Sequence, residues 1–162
     1  MASKSTLPPE INIGISDEDR AAIAEGLSRL LADTYTLYLK THNYHWNVTG
    51  PMFNTLHLMF EAQYNDLWLS MDLIAERIRS LGEYAPVGEQ IGAKSQLPAD
   101  KGVPEAKAMI ANLVDGNELL ARSARAALKA AEEAGDQASA DLMTQRVAVA
   151  EKTAWMLRAM AK

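Results

Sequence analysis

The sequence predicts an all-α fold, a bundle of four long helices with one long crossover between the second and the third. Three observations carry that prediction. Apolar residues recur at steps of three and four over long stretches, which gathers them on one side of a helix. Gly and Pro collect in a few short segments and leave the stretches between them unbroken. The composition suits helices: of 162 residues, 48% are hydrophobic and only 6% aromatic, with Ala and Leu prominent. A chain of this length forms one domain with a real core.

Residues 1–15 read as a flexible N-terminal arm, with Pro8, Pro9, Gly14 and few apolar side chains. The bundle domain covers 16–162. Ser16, followed by Asp17, Glu18 and Asp19, is a helix start: a capping hydroxyl, then acids in the first turn. The first helix should run from about Asp17 to about Trp46, with Ile23, Leu27, Leu30, Thr34 and Leu37 as its core seam. Leu31, Tyr38 and His45 form a neighbouring ridge. Asn47 to Pro51 is a turn, punctuated by Gly50 and Pro51. The second helix should run from Phe53 to about Leu81, with Phe60, Tyr64, Leu67, Met71, Ile74, Ile78 and Leu81 facing the core and Gly82 ending it. Residues 83–103, with Pro86, Gly88, Gly92, Pro98 and Gly102, are the crossover, with a short helix expected at Ala93–Leu97. Pro104 fits the first turn of the third helix, which should reach about Ala134. Its inward residues are Met109, Ile110, Leu113, Leu120, Ala124 and Leu128. Gly135 ends it and Asp136 starts the fourth, with Leu142, Val149, Met156 and Met160 marking the buried side.

Charge and composition narrow the function. The net charge of −5 opposes a general affinity for nucleic acid or anionic lipid. No apolar run is long enough to span a membrane and no secretory signal pattern opens the chain, so a cytoplasmic protein is expected. With no Cys, disulfides and thiolate metal sites are excluded. There is no Gly-rich phosphate loop and no nucleophile elbow.

The second helix carries the chemistry. With His57 at 0° and about 100° per residue, Glu61 falls near roughly 40°, Asp72 near 60° and Glu76 near 100°. These four lie off the apolar seam. A solvated charged flank is the plainest account of such a face. Trp68, in the middle of the flank and bordered by Leu58 and Leu69, points instead to a face buried against something. His57 and Glu61 are one turn apart and can share a metal, as can Asp72 and Glu76. The two pairs stand about 22 Å apart along the axis, while metal–ligand bonds are about 2 Å. One helix cannot close the site. Either another helix of the same chain completes each half, or a second copy of this helix runs antiparallel about a twofold axis near Asp66 and Leu67. All three His lie between residues 42 and 57, which favours the second copy. Trp68 then sits at the twofold interface with Asn65 and Leu69. Carboxylates with imidazole suit Fe, Mn or Zn, iron being the usual choice.

His45-Trp46-Asn47-Val48-x-Gly50, Phe53-x-x-Leu56-His57-x-x-Phe60-Glu61 and Asp72-x-x-Ala75-Glu76-Arg77 together resemble the signature of the Dps miniferritins, the DNA-binding proteins from starved cells, whose ferritin-like topology matches the helix plan. The resemblance implies a hollow dodecameric shell with ferroxidase centres at its twofold interfaces. Ferrous iron is oxidised there, preferably by hydrogen peroxide, and ferric mineral is stored in the cavity, protecting the cell from oxidative stress. His45, His57 and Glu61 would come from one subunit and Asp72 and Glu76 from its twofold mate, with two irons per site. Two irons can deliver both electrons to peroxide at once. Many family members have Asp where this chain has Glu61, so the carboxylate is kept on a longer arm. Trp46, beside a ligand, is placed to absorb a stray oxidising equivalent; simple packing is the other reading. His42 has no place in the motif and reads as a supporting or surface His. Family pores on threefold axes make Asp136 and Asp141 candidates for iron entry.

Three functions compete at this point: a ferroxidase and iron store, a nucleoid-associated DNA-compacting protein, and a plain structural bundle. DNA-condensing family members carry mobile basic tails, but residues 1–16 hold one Lys, Lys4, against Glu10. DNA binding is therefore expected to be weak or absent.

Overall fold

The computed structural model describes residues 10–161, and its described elements are all helices: α1 (Asp17–Asn47), α2 (Phe53–Ser80), α3 (Glu89–Lys94), α4 (Ala106–Glu133) and α5 (Gln137–Met160). α1 and α2 form one hairpin, α4 and α5 the other, and the segment containing α3 crosses between them. The Ser16 hydroxyl accepts from the Asp19 amide at 3.1 Å, as the sequence of the α1 start predicts. Lys4 and the first part of the arm lie outside the described residues. At the arm's end, Ile15 packs against the core. Arg20 donates to the carbonyls of Ile15, at 2.8 Å, and of Leu81, at 3.0 Å.

The predicted seams of α1 and α2 form the core. Ile23, Leu27, Leu30, Leu37, Phe60, Ile74 and Ile78 are all fully buried. α1 and α4 approach closely because Gly26 has no side chain: a Cβ there would lie 2.9 Å from that of Ala127. Gly82 takes φ +97° after α2, a left-handed turn that suits glycine, and Ile11 lies directly over it.

Three expectations need correction. The short helix in the crossover is Glu89–Lys94, not Ala93–Leu97. The helix stops at Lys94, with Ser95 extended, because Asp33 captures the Gln96 amide at 2.7 Å and the Ser95 hydroxyl at 3.2 Å. Pro104 precedes α4 rather than standing in its first turn, since Glu105 is the extended cap residue. On α5 the buried side is Met143, Val147, Ala150, Ala154 and Leu157, while Met156 is 40% exposed. The Leu142–Val149–Met156 ridge is displaced by one residue from that face. Small residues win the core position because α4 presents its own alanines, Ala124, Ala127 and Ala131, and the helices close on each other.

α2 and α5 do not close in the same way. A groove of about 410 Å³ lies between them, lined by Met59, Leu67, Leu120, Val149 and Met156 and floored by Arg146. Arg146 spans it to Asp66 at 2.6 Å. Among the described residues no helix is long and apolar enough to cross a membrane.

Candidate metal centre

His45 sits in the last turn of α1 and His57 just past the first turn of α2. The tight connection between the helices stacks their rings, with centroids 3.7 Å apart and planes 18° from parallel. Each ring uses the other residue's backbone. Nδ1 of His45 lies 2.8 Å from the His57 carbonyl, and Nδ1 of His57 lies 2.8 Å from the His45 carbonyl. A carbonyl can only accept, so both Nδ1 atoms carry the proton. The His45 carbonyl belongs to the last turn of α1, where helical carbonyls lack intrahelical donors. The consequence is chemical: with the Nδ1 proton engaged, Nε2 is the nitrogen of each ring whose lone pair a metal can take. That is how proteins prepare imidazoles for metals, by fixing tautomer and orientation through the other nitrogen.

Glu61 lies one turn beyond His57 and is half-buried, whereas Asp72 and Glu76 are exposed. The structure brings His45 and His57 together. It leaves Asp72 and Glu76 further along α2, separated from His57 by the helical rise of about 22 Å to Asp72. Among the described residues, no three His, Asp or Glu side chains converge closely enough within one subunit to hold a metal ion. Beside Asp72 the surface is apolar. Trp68 is 56% and Leu69 67% exposed, and with Tyr35, Leu73 and Ile91 they line an open groove of about 690 Å³.

Over residues 24–162 the chain matches the ferritin-like domain family. A DNA protection during starvation protein of Brevibacillus brevis is 35% identical over 139 residues, covering 85% of this chain and 93% of the relative. An uncharacterized low temperature-induced protein of Nostoc is 43% identical over 154 residues, covering 93% of this chain and 86% of that one. The Vibrio cholerae Dps structure, described as one of the ferritin-like diiron-carboxylate proteins, superposes with a TM-score of 0.90 at 32% identity, over 98% of this chain and 100% of that one. The chain belongs to the Dps miniferritins.

In this miniferritin the surroundings of the histidine pair differ from the sequence reading. Trp46 is 62% exposed and its ring meets His42, at 4.3 Å between centroids, as its nearest aromatic neighbour. His42 is neither isolated nor simply superficial. It stacks on Tyr64 at 3.9 Å and 16°, and its Nδ1 lies 3.1 Å from the Tyr38 hydroxyl. Burial, and then the neighbouring His45, hold the His42 imidazole below the usual histidine range. Tyr64 was readable only as a core residue, since its contact with His42 is made across two helices. The spacing of Tyr38, His42 and Trp46 at steps of four was a signal available in the sequence.

Asp136 does not stand on the surface as a pore residue must. It is 4% exposed, caps α5 through the Ser139 amide at 3.1 Å and receives Arg77 at 2.8 and 2.9 Å. Burial works to raise its pKa, but the Ser139 hydroxyl and the Arg77 guanidinium outweigh it and leave the carboxyl below its ordinary value. Asp141 is exposed and accepts from Gln145 at 2.8 Å.

Proposed function

We propose that this miniferritin is a ferroxidase and iron store, assembled as a dodecameric shell in the cytoplasm. His45, His57 and Glu61 of one subunit and Asp72 and Glu76 of its twofold mate bind two ferrous ions. Hydrogen peroxide oxidises them, and the ferric product is held in the cavity. The reciprocal clamp of the His45 and His57 rings carries this reading. It prepares two Nε2 lone pairs at one place, and a solvated charged face has no need of them. The incomplete ligand set within one subunit and the apolar groove beside Asp72 support a second chain as the source of the remaining carboxylates. Asp141 stays a candidate for iron entry.

Complementation tests the shared site. One population carries His45→Ala and His57→Ala, the other Asp72→Ala and Glu76→Ala, and neither should oxidise iron alone. Shells assembled from both contain interfaces with one intact set and should regain part of the activity. Mixed shells that remain inactive would exclude the intersubunit assignment.

The relatives' names also speak of DNA protection. Removal of iron and peroxide protects DNA without touching it, and the charge of this chain favours that route. With a net charge of −5 per subunit, metal-free protein should not shift duplex DNA in a gel containing chelator at about 0.1 M salt. A salt-sensitive shift under those conditions would favour direct coating instead.

A further inference from the structure

The groove between α2 and α5 holds two polar atoms that the fold leaves unpaired. Arg146, at its floor, is 7% exposed. The terminal nitrogens of its guanidinium meet Asp66 at 3.4 and 2.6 Å. A guanidinium carries five donors in a planar fork, and here the Nε side of the fork is unused. Nε is buried and has no hydrogen-bond partner among the described residues. Gln63, one turn before Asp66 on α2, is in the same condition at Oε1. A buried donor or acceptor left unmade is costly, and both residues line the groove of about 410 Å³.

The groove has a polar end and an apolar end. α2 and α5 run antiparallel, since Arg77 meets Asp136 at one point and Asp66 meets Arg146 further along. From Asp66 to Met59 on α2, and from Arg146 to Met156 on α5, the helices rise roughly 10 to 15 Å. The lining between includes Ala62, Leu120 and Val149. Met59 and Met156 are unbranched and adapt to the shape of a guest. The Asp66–Arg146 bridge spans the groove and stops a helix or strand from lying through it, so the occupant is a small molecule that ends at the bridge. Of the charged residues that line the groove, Arg146 and Lys152 are cations and Asp66 is the one carboxylate. Asp66 is also partly turned to water, with its side chain 44% exposed. The unmet demand at the polar end is for an anionic acceptor.

We infer that this groove is a binding site for a small aliphatic monocarboxylate. The carboxylate accepts from Nε of Arg146, whose terminal nitrogens keep Asp66, so one guanidinium holds two acceptors. A half-turn of the Gln63 amide replaces Oε1 with the Nε2 donor, which gives the carboxylate a second partner. The hydrocarbon chain lies along the groove toward Met59 and Met156 and buries the apolar walls that α2 and α5 leave apart. The site uses none of the candidate iron ligands and stands independently of the ferroxidase reading.

Full-length, metal-free protein would be titrated with decanoate, its shorter homologues and decyltrimethylammonium in a calorimeter. Saturable binding of decanoate is expected, weakening about fourfold with each methylene removed. The cationic amphiphile should bind about tenfold more weakly or not at all, and Arg146→Gln should lose about tenfold for decanoate. Ala62→Trp fills the groove from an exposed position on its rim and should abolish binding even if Arg146→Gln does not fold. Independently of any variant, methyl-labelled methionine should report the site by nuclear magnetic resonance. Decanoate should shift the Met59 and Met156 methyls and leave those of Met109 and Met143, fully buried in the core, in place. Absence of saturable decanoate binding would overturn the proposal. So would equal binding of the cationic amphiphile, an unchanged affinity in Ala62→Trp, or methyl shifts that miss Met59 and Met156.

Discussion

Around Asp33 the molecule buries a carboxylate, and along the outer face of α2 it exposes an indole. Asp33 has no solvent exposure, yet it accepts from the Ser95 hydroxyl, the Gln96 backbone and side-chain amides, and the Ser123 hydroxyl. This clasp joins α1, the crossover and α4, and Lys40 with Asp100, at 2.8 Å, adds a second tie to the crossover. Every polar group at Asp33 finds its partner within the chain. Among the described residues, Trp68 and Leu69 find none that covers them. The difference shows where each region's free energy is realised. The clasp is completed when one chain folds. The stripe has apolar surface still to bury, and exposed patches of this kind mark interaction faces.

Breaking the clasp should have the largest effect on the subunit. Asp33→Ala leaves several buried donors without an acceptor and should cost about 3 kcal/mol, or a fall in Tm of about 10 °C. Denaturant unfolding of the variant beside the parent measures it. A loss within experimental error would mean that the crossover is held elsewhere.

Trp68→Glu should give the opposite pattern. Subunit helicity should be unchanged by circular dichroism, because surface substitutions move stability by only about 0.5 kcal/mol. Association should weaken by tenfold or more, since burying an unpaired carboxylate costs about 2 kcal/mol at the least. Sedimentation at low protein concentration reads this directly, and a shell as stable as the parent's would separate Trp68 from the interface.

A smaller effect sharpens the comparison from a third place. Asn still caps a helix well, so Asp136→Asn removes mainly the charge opposite Arg77. The cost should be about 1 kcal/mol at neutral pH, reduced by the partial exposure of Arg77. The sign of its pH dependence follows from the lowered pKa of Asp136. Its contribution is complete above the unfolded carboxyl value of about 3.9 and is lost as pH falls through the lower folded value. The gap between parent and variant should therefore narrow in acid. A gap that widens there would show that Asp136 is not held charged by its partners.

The sequence by itself determined the helix plan, the core seams of α1 and α2 and the residues of the candidate centre. Each of these is a local pattern: a 3.6-residue period, a capping hydroxyl, a turn marked by Gly50 and Pro51, candidate ligands one helical turn apart. Tertiary structure decided whatever depends on which helices approach and how closely. It chose the Ala-lined side of α5 over the larger ridge beside it, because α4 is also Ala-rich there. It drew Ser95 and Gln96 out of a helix, because a carboxylate from α1 competes for their hydrogen bonds. It turned Asp136 inward to Arg77, and it locked the His45 and His57 tautomers through carbonyls on opposite helices. A one-dimensional pattern records which side chains share a face. The partner that a hydrogen bond or a stacked ring finds across two helices is fixed only when those helices are packed.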